Sequence, residues 1–290
     1  MAVIDCFTFF NELDILEIRL QELWNTVDFF VLVEASVGHS GKPKPLFFAD
    51  SKDRFQPYMD KIKHVIVDDM PVSDPNSWVR ENYQRDCIQR GLPSLNRNDL
   101  IITSDADEIP RASVIAQLQT DTDPFHRAML STPLFQYKLN FMRVYHQGDY
   151  RYPIYRQQNI VVTRAQFYTS PQQERSSSFW WIREIPANTL LVDHGGWHWS
   201  YYGGTSHAIN KIRNFAHTEC DTPELITSYD VNYLIENKCG HYGLSNPERY
   251  EYVLVDDYFP KVITENLSTY EHMIIPNALV SARDLLNKTN

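Results

Sequence analysis

Asp99-Leu100-Ile101-Ile102-Thr103-Ser104-Asp105-Ala106-Asp107-Glu108-Ile109-Pro110 is the stretch on which the reading of the fold turns. Leu100 to Thr103 has the apolar run of a short buried strand, and it leads into three carboxylates before Pro110 is expected to end any pairing. Asp105 and Asp107 are separated by one residue, so on extended backbone their side chains leave the same face and can converge on one hard cation or one polyhydroxyl ligand. The competing reading is a solvated turn whose acids cap a helix over Arg111 to Gln119. What precedes the strand decides between them.

Upstream, Val3 to Phe9 reads as a strand. Asn11 to Trp24 follows as a helix, with Leu13, Leu16, Leu20 and Leu23 at helical spacing. Asp28 to Ala35 is an almost continuous apolar run, the pattern of a strand covered on both faces. After a Pro/Gly-rich loop over Ser36 to Pro45 come a short helix near Ser51 to Met59, a strand over His64 to Val67, and a helix over Ser77 to Arg90 closed by Gly91. Leu100 therefore opens the fourth strand of an alternating α/β series. Such a series predicts a parallel, Rossmann-like sheet that binds ligands outside the carboxyl ends of its strands.

The second half follows another grammar. Leu134 to Tyr145, Asn159 to Thr163 and Thr189 to Val192 read as strands without regular crossovers, and helices are expected over Ser206 to His217 and Pro223 to Asn237. The fold class is thus α/β, a Rossmann-like half followed by a mixed α+β half, folding together without a flexible linker.

The chain has 290 residues, 43% of them hydrophobic and 13% aromatic, which is ample for a large core. A net charge of −10 argues against nucleic acid or an anionic membrane as partner, since either needs a basic surface. Cys6, Cys87, Cys220 and Cys239 have neither metal-ligand nor disulfide-framework spacing. The N-terminus lacks the basic and apolar pattern of a signal peptide, and no run approaches the about 18 apolar residues of a spanning helix, so a cytoplasmic setting with no transmembrane segment is expected. The sequons at Asn266 and Asn287 then read as chance matches.

Other groups are candidates for chemistry. His39, Lys42 and Lys44 lie on the loop after the second strand, where they can meet a diphosphate or a base. Arg80 and Gln84 share a helix face, while Glu81 and Arg85 have the spacing of a surface ion pair. His194 to Gly204 pairs glycines with Trp197, His198, Trp199, Tyr201 and Tyr202, either a stacking platform for sugar rings or a buried aromatic strand. His198 is also a candidate metal ligand. Asp193, Glu219 and Asp256 are candidate general bases that the sequence does not rank.

Several segments together resemble glycosyltransferase family seventeen. They are Phe9-Phe10-Asn11-Glu12-Leu13-Asp14 with Glu17-Ile18-Arg19-Leu20, Phe30 to Ala35, His39 to Leu46, Arg80-Glu81 with Gln84-Arg85, Ser104 to Pro110, Gly195-Gly196-Trp197-His198, and Lys211-Ile212 with His217-Thr218-Glu219. The resemblance runs in order along nearly the whole chain. It implies one GT-A-like catalytic domain over residues 1–290, with a nucleotide-sugar half over 1–120 and an acceptor half over 121–290.

It further implies a metal-dependent inverting transferase that uses a UDP-sugar, UDP-GlcNAc foremost, and a glycan or glycoprotein acceptor. Asp105 and Asp107, with His198, would hold Mn²⁺ or Mg²⁺. Asn11, Glu34, His39, Lys42, Arg80, Gln84, Arg85 and Asp105 would face the donor, and Trp197, Trp199 and Tyr201 the acceptor. The alternative is a non-catalytic glycan-binding protein built on the aromatic stretch.

Overall fold

The structure is a computed structural model that describes residues 1–121, 125–147, 150–153, 155–176, 187–240 and 249–286; the sequon at Asn287 lies outside them. In chain order the elements up to the acidic turn are β1 (Val3–Phe9), α1 (Leu13–Leu23), β2 (Phe29–Ala35), α2 (Phe47–Asp50), β3 (Ile62–Val67), α3 (Ser77–Asp86), β4 (Leu100–Asp105) and β5 (Glu108–Pro110). Then come α4 (Ala112–Thr120), β6 (Arg127–Gln136), β7 (Phe141–Gln147), β8 (Tyr150–Pro153), β9 (Tyr155–Arg164), α5 (Pro171–Ser176), β10 (Thr189–Val192) and β11 (Gly196–Ser200). The chain continues through α6 (Thr205–Asn214), α7 (Pro223–Ser228), α8 (Val231–Glu236), β12 (Arg249–Leu254), α9 (Lys261–Thr264), β13 (Val280–Ser281) and α10 (Ala282–Leu286).

Two compact units result. The first comprises Met1–Thr132, Gln157–Gly196 and Asn214–Ala216; the second comprises Pro133–Arg156, Trp197–Arg213 and His217–Asn290. In the first, β4, β1, β2 and β3 lie side by side in that order and all parallel, as the alternating series predicts. β9 joins β4 antiparallel, and β10 runs parallel to the start of β6. The continuous apolar run of β2 is covered on both faces. Phe30 and Leu32 pack with Phe7, Leu16, Leu20 and Ile102, whereas Val31, Val33 and Ala35 pack with Ile4, Cys6, Val65 and Ile88. Each fully buried Val, Leu, Ile or Phe among them contributes roughly 1.5–3 kcal/mol relative to exposure.

The second unit is a mixed assembly of strands and short helices. β12 pairs antiparallel with β7 and parallel with β13, β8 pairs antiparallel with β7, and β11 runs parallel to the end of β6. Two sequence expectations need correction here. The single strand expected over Leu134 to Tyr145 is two strands, because Tyr137 takes a left-handed φ of 62° and the chain reverses; its hydroxyl, 3.0 Å from that of Tyr229, holds the buried ring. The helix expected over Pro223 to Asn237 is two helices, the second started afresh by Asp230, whose carboxylate accepts the Asn232 and Tyr233 N–H groups. In the first unit Pro110 is the last residue of β5, so pairing ends there as expected.

Candidate active site

The parallel strands of the first unit leave β1 in both directions: the chain builds outward through β2 and β3, then returns to place β4 on the other side of β1. The carboxyl ends of β1 and β4 therefore flank a topological switch point, where open α/β sheets bind ligands. Thr8 and Asp105 are register partners across that pair. Thr8 Oγ1 donates to Asp105 Oδ1 at 3.1 Å.

Asp105 is held from three directions. Arg85 Nη2 donates to its Oδ1 at 3.3 Å and Arg175 Nη2 to its Oδ2 at 3.2 Å. Burial would raise its pKa, but Arg175 and Arg85 outweigh it and hold the carboxyl well below the usual range. The side chain is 32% exposed, so it is an ionised group that solvent still reaches.

The turn from Asp105 to Glu108 is shaped from below by Arg19 of α1, which is wholly buried. Its Nη1 donates to the carbonyls of Asp105 (3.0 Å), Ala106 (3.4 Å) and Glu108 (2.8 Å), while Nε and Nη2 grip Asp5 at 2.8 and 2.6 Å. Glu108 closes the turn: its Oε2 accepts the Asp105 N–H at 2.9 Å and its Oε1 accepts from Arg175 at 2.8 Å. Burial pushes Glu108 up to about 7, with Asp105 and Asp107 adding to it and Arg175 opposing. Asp107, at the turn's crest, is largely buried.

A second layer joins from α3 and the loop after β2. His39 Nε2 meets Gln84 Oε1 at 2.8 Å, and the amide of Gln84 donates to the Val33 carbonyl, so the His39 proton sits on Nε2. Burial lowers the His39 pKa, and Glu81 and Gln84 pull the other way. Arg80 ties the loop down through the carbonyls of His39 (2.6 Å) and Asp74. Arg85 is steadied by Glu81 at 2.9 Å and Gln172 at 2.6 Å. His39, Glu81, Gln84, Arg85 and Asp105 thus form one connected network along the carboxyl edge of the sheet.

A family model, that of glycosyltransferase family 17, matches residues 1–284. The chain belongs to glycosyltransferase family 17. The human β-1,4-mannosyl-glycoprotein 4-β-N-acetylglucosaminyltransferase is 27% identical over 217 residues, covering 69% of this chain and 40% of that protein, and the rat protein of the same name aligns to the same extent. The chain therefore spans about 40% of the length of the curated relatives it matches. Among solved structures, mannosyltransferase PcManGT from Pyrobaculum calidifontis, in complex with GDP-Man and Mn²⁺, aligns with a TM-score of 0.43 at 10% identity, covering 73% of this chain and 60% of that one. HddC from Yersinia pseudotuberculosis, complexed with GMP-PN, aligns at 0.39 and 9%, covering 67% and 91%. At those scores neither carries an argument about this chain.

Within this family 17 chain, the candidates named from sequence fall into three groups. His39, Arg80, Gln84, Arg85 and Asp105 are gathered at the switch-point edge. Asn11 lies on the bend just past β1, and Lys42 stands exposed on the loop after β2. Glu34 serves the fold instead. Its oxygens accept the N–H groups of Phe48 (2.9 Å) and Ala49 (3.2 Å) and contact His64 (3.2 Å), so it caps α2 from a fully buried position.

The aromatic stretch is core rather than platform. Trp197 and Trp199 are each 1% exposed; Trp199 donates to the Leu139 carbonyl at 3.0 Å and packs near Phe135, so neither ring offers a face to an acceptor. Tyr201 and His198 are buried with them in the second unit. The glycines admit the protein's own backbone: a Cβ on Gly196 would stand 2.1 Å from the Ile109 carbonyl oxygen, and one on Gly195 2.5 Å from Leu130 Cβ.

The three candidate bases also separate. Asp193 is exposed on the turn after β10, in the first unit, three residues before Gly196 and next to His194, whose carbonyl accepts from Arg111 Nε at 3.1 Å. Glu219 is exposed and pairs with His217 at 2.6 Å in the second unit. Asp256 is occupied there in a turn, accepting from the Tyr258 N–H at 3.0 Å and the Ser281 hydroxyl. Among the described residues, no three His, Cys, Asp or Glu side chains gather into a set that could hold a metal ion by itself. Asp105 and Asp107 offer hard oxygen donors of the kind that hold Mg²⁺ or Mn²⁺ when substrate phosphates supply the rest of the shell.

Sequence reasoning missed Thr8, Arg19 and Arg175. Arg19 lies within a family-like motif, but only as one charge on an amphipathic helix. Arg175 lies in Pro171-Gln172-Gln173-Glu174-Arg175-Ser176, whose composition reads as surface.

Proposed function

We propose that this chain is a metal-dependent, inverting glycosyltransferase of GT-A-like architecture. It moves a sugar, GlcNAc foremost, from a UDP-sugar to a hydroxyl of a glycan or glycoprotein. The observation that carries the reading is positional: Asp105 ends and Asp107 follows β4, the strand at which the parallel sheet reverses its order of growth, in a chain that family 17 matches from residue 1 to 284. The sugar is inferred from the name of the mammalian relatives.

In this reading the first unit receives the donor. Asp107, together with the donor's diphosphate oxygens, would hold the cation, and Asp105 stays ionised beside it. A bound Mn²⁺ or Mg²⁺ supplies Lewis-acid stabilisation of the charge that develops on the leaving diphosphate. Lys42 adds a positive charge to the same edge. Asp193 is the favoured base: it is exposed, belongs to the first unit, and is tethered through Gly195 and Gly196 to the strand that follows the acidic turn. It takes the proton of the acceptor hydroxyl as that oxygen attacks the anomeric carbon opposite the diphosphate, a single displacement that inverts configuration.

The test is a screen of nucleotide sugars for Mn²⁺-dependent release of nucleoside diphosphate, with UDP binding followed by calorimetry. Turnover of UDP-GlcNAc that depends on metal supports the proposal. No turnover of any nucleotide sugar, together with no UDP binding with or without metal, rejects it. The glycan-binding alternative has lost its leading feature, since Trp197 and Trp199 are buried.

A further inference from the structure

Helix α5 reaches the acidic turn with two side chains. Arg175 donates to Asp105 Oδ2 at 3.2 Å and Glu108 Oε1 at 2.8 Å, and is anchored in turn by the Asn159 carbonyl. Gln172, one helical turn earlier, accepts from Arg85 Nη1 at 2.6 Å, and Arg85 Nη2 holds the other oxygen of the same aspartate. The helix itself is fixed by Glu174, fully buried, which accepts from the hydroxyls of Thr163 and Thr169, each at 2.8 Å, and by the Gln172 N–H bound to Asp86 at 3.0 Å.

The two arginine side chains are 3% and 8% exposed, against 32% for Asp105. They are too enclosed to grip a ligand, whereas the aspartate they hold is open to one. A strand-end aspartate has two rotatable side-chain bonds, and without partners its carboxylate would sample several rotamers. Here one oxygen is directed by Thr8 and Arg85 and the other by Arg175. We propose that α5 is a clamp on the donor site, with Arg175 and Gln172 as positioning residues that fix the carboxylate of Asp105; this rests on the nucleotide-sugar reading above. Misplacing a reacting or binding group by about 1 Å costs on the order of 100-fold in rate. A clamp on the first acid of the turn is therefore expected to show in turnover.

The experiment measures kcat, KM and melting temperature for metal-dependent hydrolysis of whichever nucleotide sugar the wild type turns over. The variants are Arg175→Lys, Gln172→Ala, Asp105→Asn and the double variant Arg175→Lys with Asp105→Asn. Lysine keeps the charge but loses the planar fork that serves both carboxylates. Expected are a fall in kcat of about 10- to 100-fold for Arg175→Lys with little change in KM, about 3- to 10-fold for Gln172→Ala, and a double variant no worse than Asp105→Asn alone, because Arg175 acts through Asp105.

Unchanged kcat in both Arg175→Lys and Gln172→Ala, or losses that simply multiply in the double, overturns the clamp. If Arg175→Lys does not fold, the same cycle runs with Gln172→Ala, whose side chain lies nearer the surface. A wild type with no turnover and no UDP affinity overturns the donor-site reading and the clamp with it; an active wild type with additive losses overturns the clamp alone.

Discussion

Thr8 Oγ1 donates to Asp105 Oδ1 at 3.1 Å across the strand pair where the parallel sheet reverses its order of growth. This bond ties the first acid of the turn to the neighbouring strand, so its loss acts on both stability and site geometry. Thr8→Val removes the donor and keeps the shape, and should lower unfolding stability by about 1 kcal/mol. Urea titration should show a lower midpoint with an unchanged slope, together with a lower kcat for metal-dependent nucleotide-sugar hydrolysis; an unchanged midpoint would count against the bond.

Asp107→Asn keeps the size of the side chain and removes its charge. On the proposed chemistry it should reduce metal-dependent nucleotide-sugar turnover by about 100-fold or more, since Lewis-acid stabilisation is worth several kcal/mol. Circular dichroism should be indistinguishable from wild type. Near-normal turnover would end the assignment of Asp107 to the cation.

The parallel half was legible from sequence because its signals are local. A continuous apolar run over Phe30 to Ala35, leucines at helical spacing in α1 and a strand ending in acids each report their own environment. The clamp was not legible, because the burial of Glu174 and Arg175 depends on β4 and β9 packing over them, which no local pattern announces. The aromatic stretch left two readings open for the converse reason: Trp197 and Trp199 have the composition of a sugar platform as much as of core, and only their packing, stacked on each other with Phe135 against Trp199, decides for core. The reversal at Tyr137 lacked glycine or proline, since a buried tyrosine holds the left-handed backbone there.

Gly196 has no room for a methyl group. Its Cβ would meet the Ile109 carbonyl oxygen at 2.1 Å and the Pro110 Cα at 2.9 Å, both backbone atoms, so β5 would have to move. Gly196→Ala should destabilise by about 3 kcal/mol and disturb the turn carrying Asp107. Gly204→Ala, with no atom of the described residues within 4 Å of the added carbon, serves as the control and should stay within about 0.5 kcal/mol of wild type. Denaturant midpoints of the two variants decide the matter.

His39 is held neutral in the fold: burial lowers its pKa, with Glu81 and Asp105 pulling upward and Arg85 downward. The unfolded chain takes up that proton below about pH 6.5. Between there and the lower folded value the unfolded state binds more protons, so stability falls as the pH drops through that window and is fully present above it. His39→Gln should flatten this part of the pH dependence when unfolding is measured from pH 7.5 to 5. An identical slope in the variant would show that the loss arises elsewhere.

Arg19 and Asp5 form a wholly buried pair, at 2.6 Å between Nη2 and Oδ1, and the same guanidinium also serves three carbonyls of the acidic turn. The pair therefore has two separable consequences. Arg19→Met leaves Asp5 as an uncompensated buried charge and should cost about 3–5 kcal/mol. Adding Asp5→Leu removes that charge, and an apolar pair of similar volume should recover much of the lost stability. The turn carbonyls remain without their donor in both variants, so turnover should stay low in the stabilised double. Recovery of stability with recovery of turnover would show that Arg19 serves only the charge balance of the core; recovery of stability alone would show that it shapes the turn on which Asp105 and Asp107 stand.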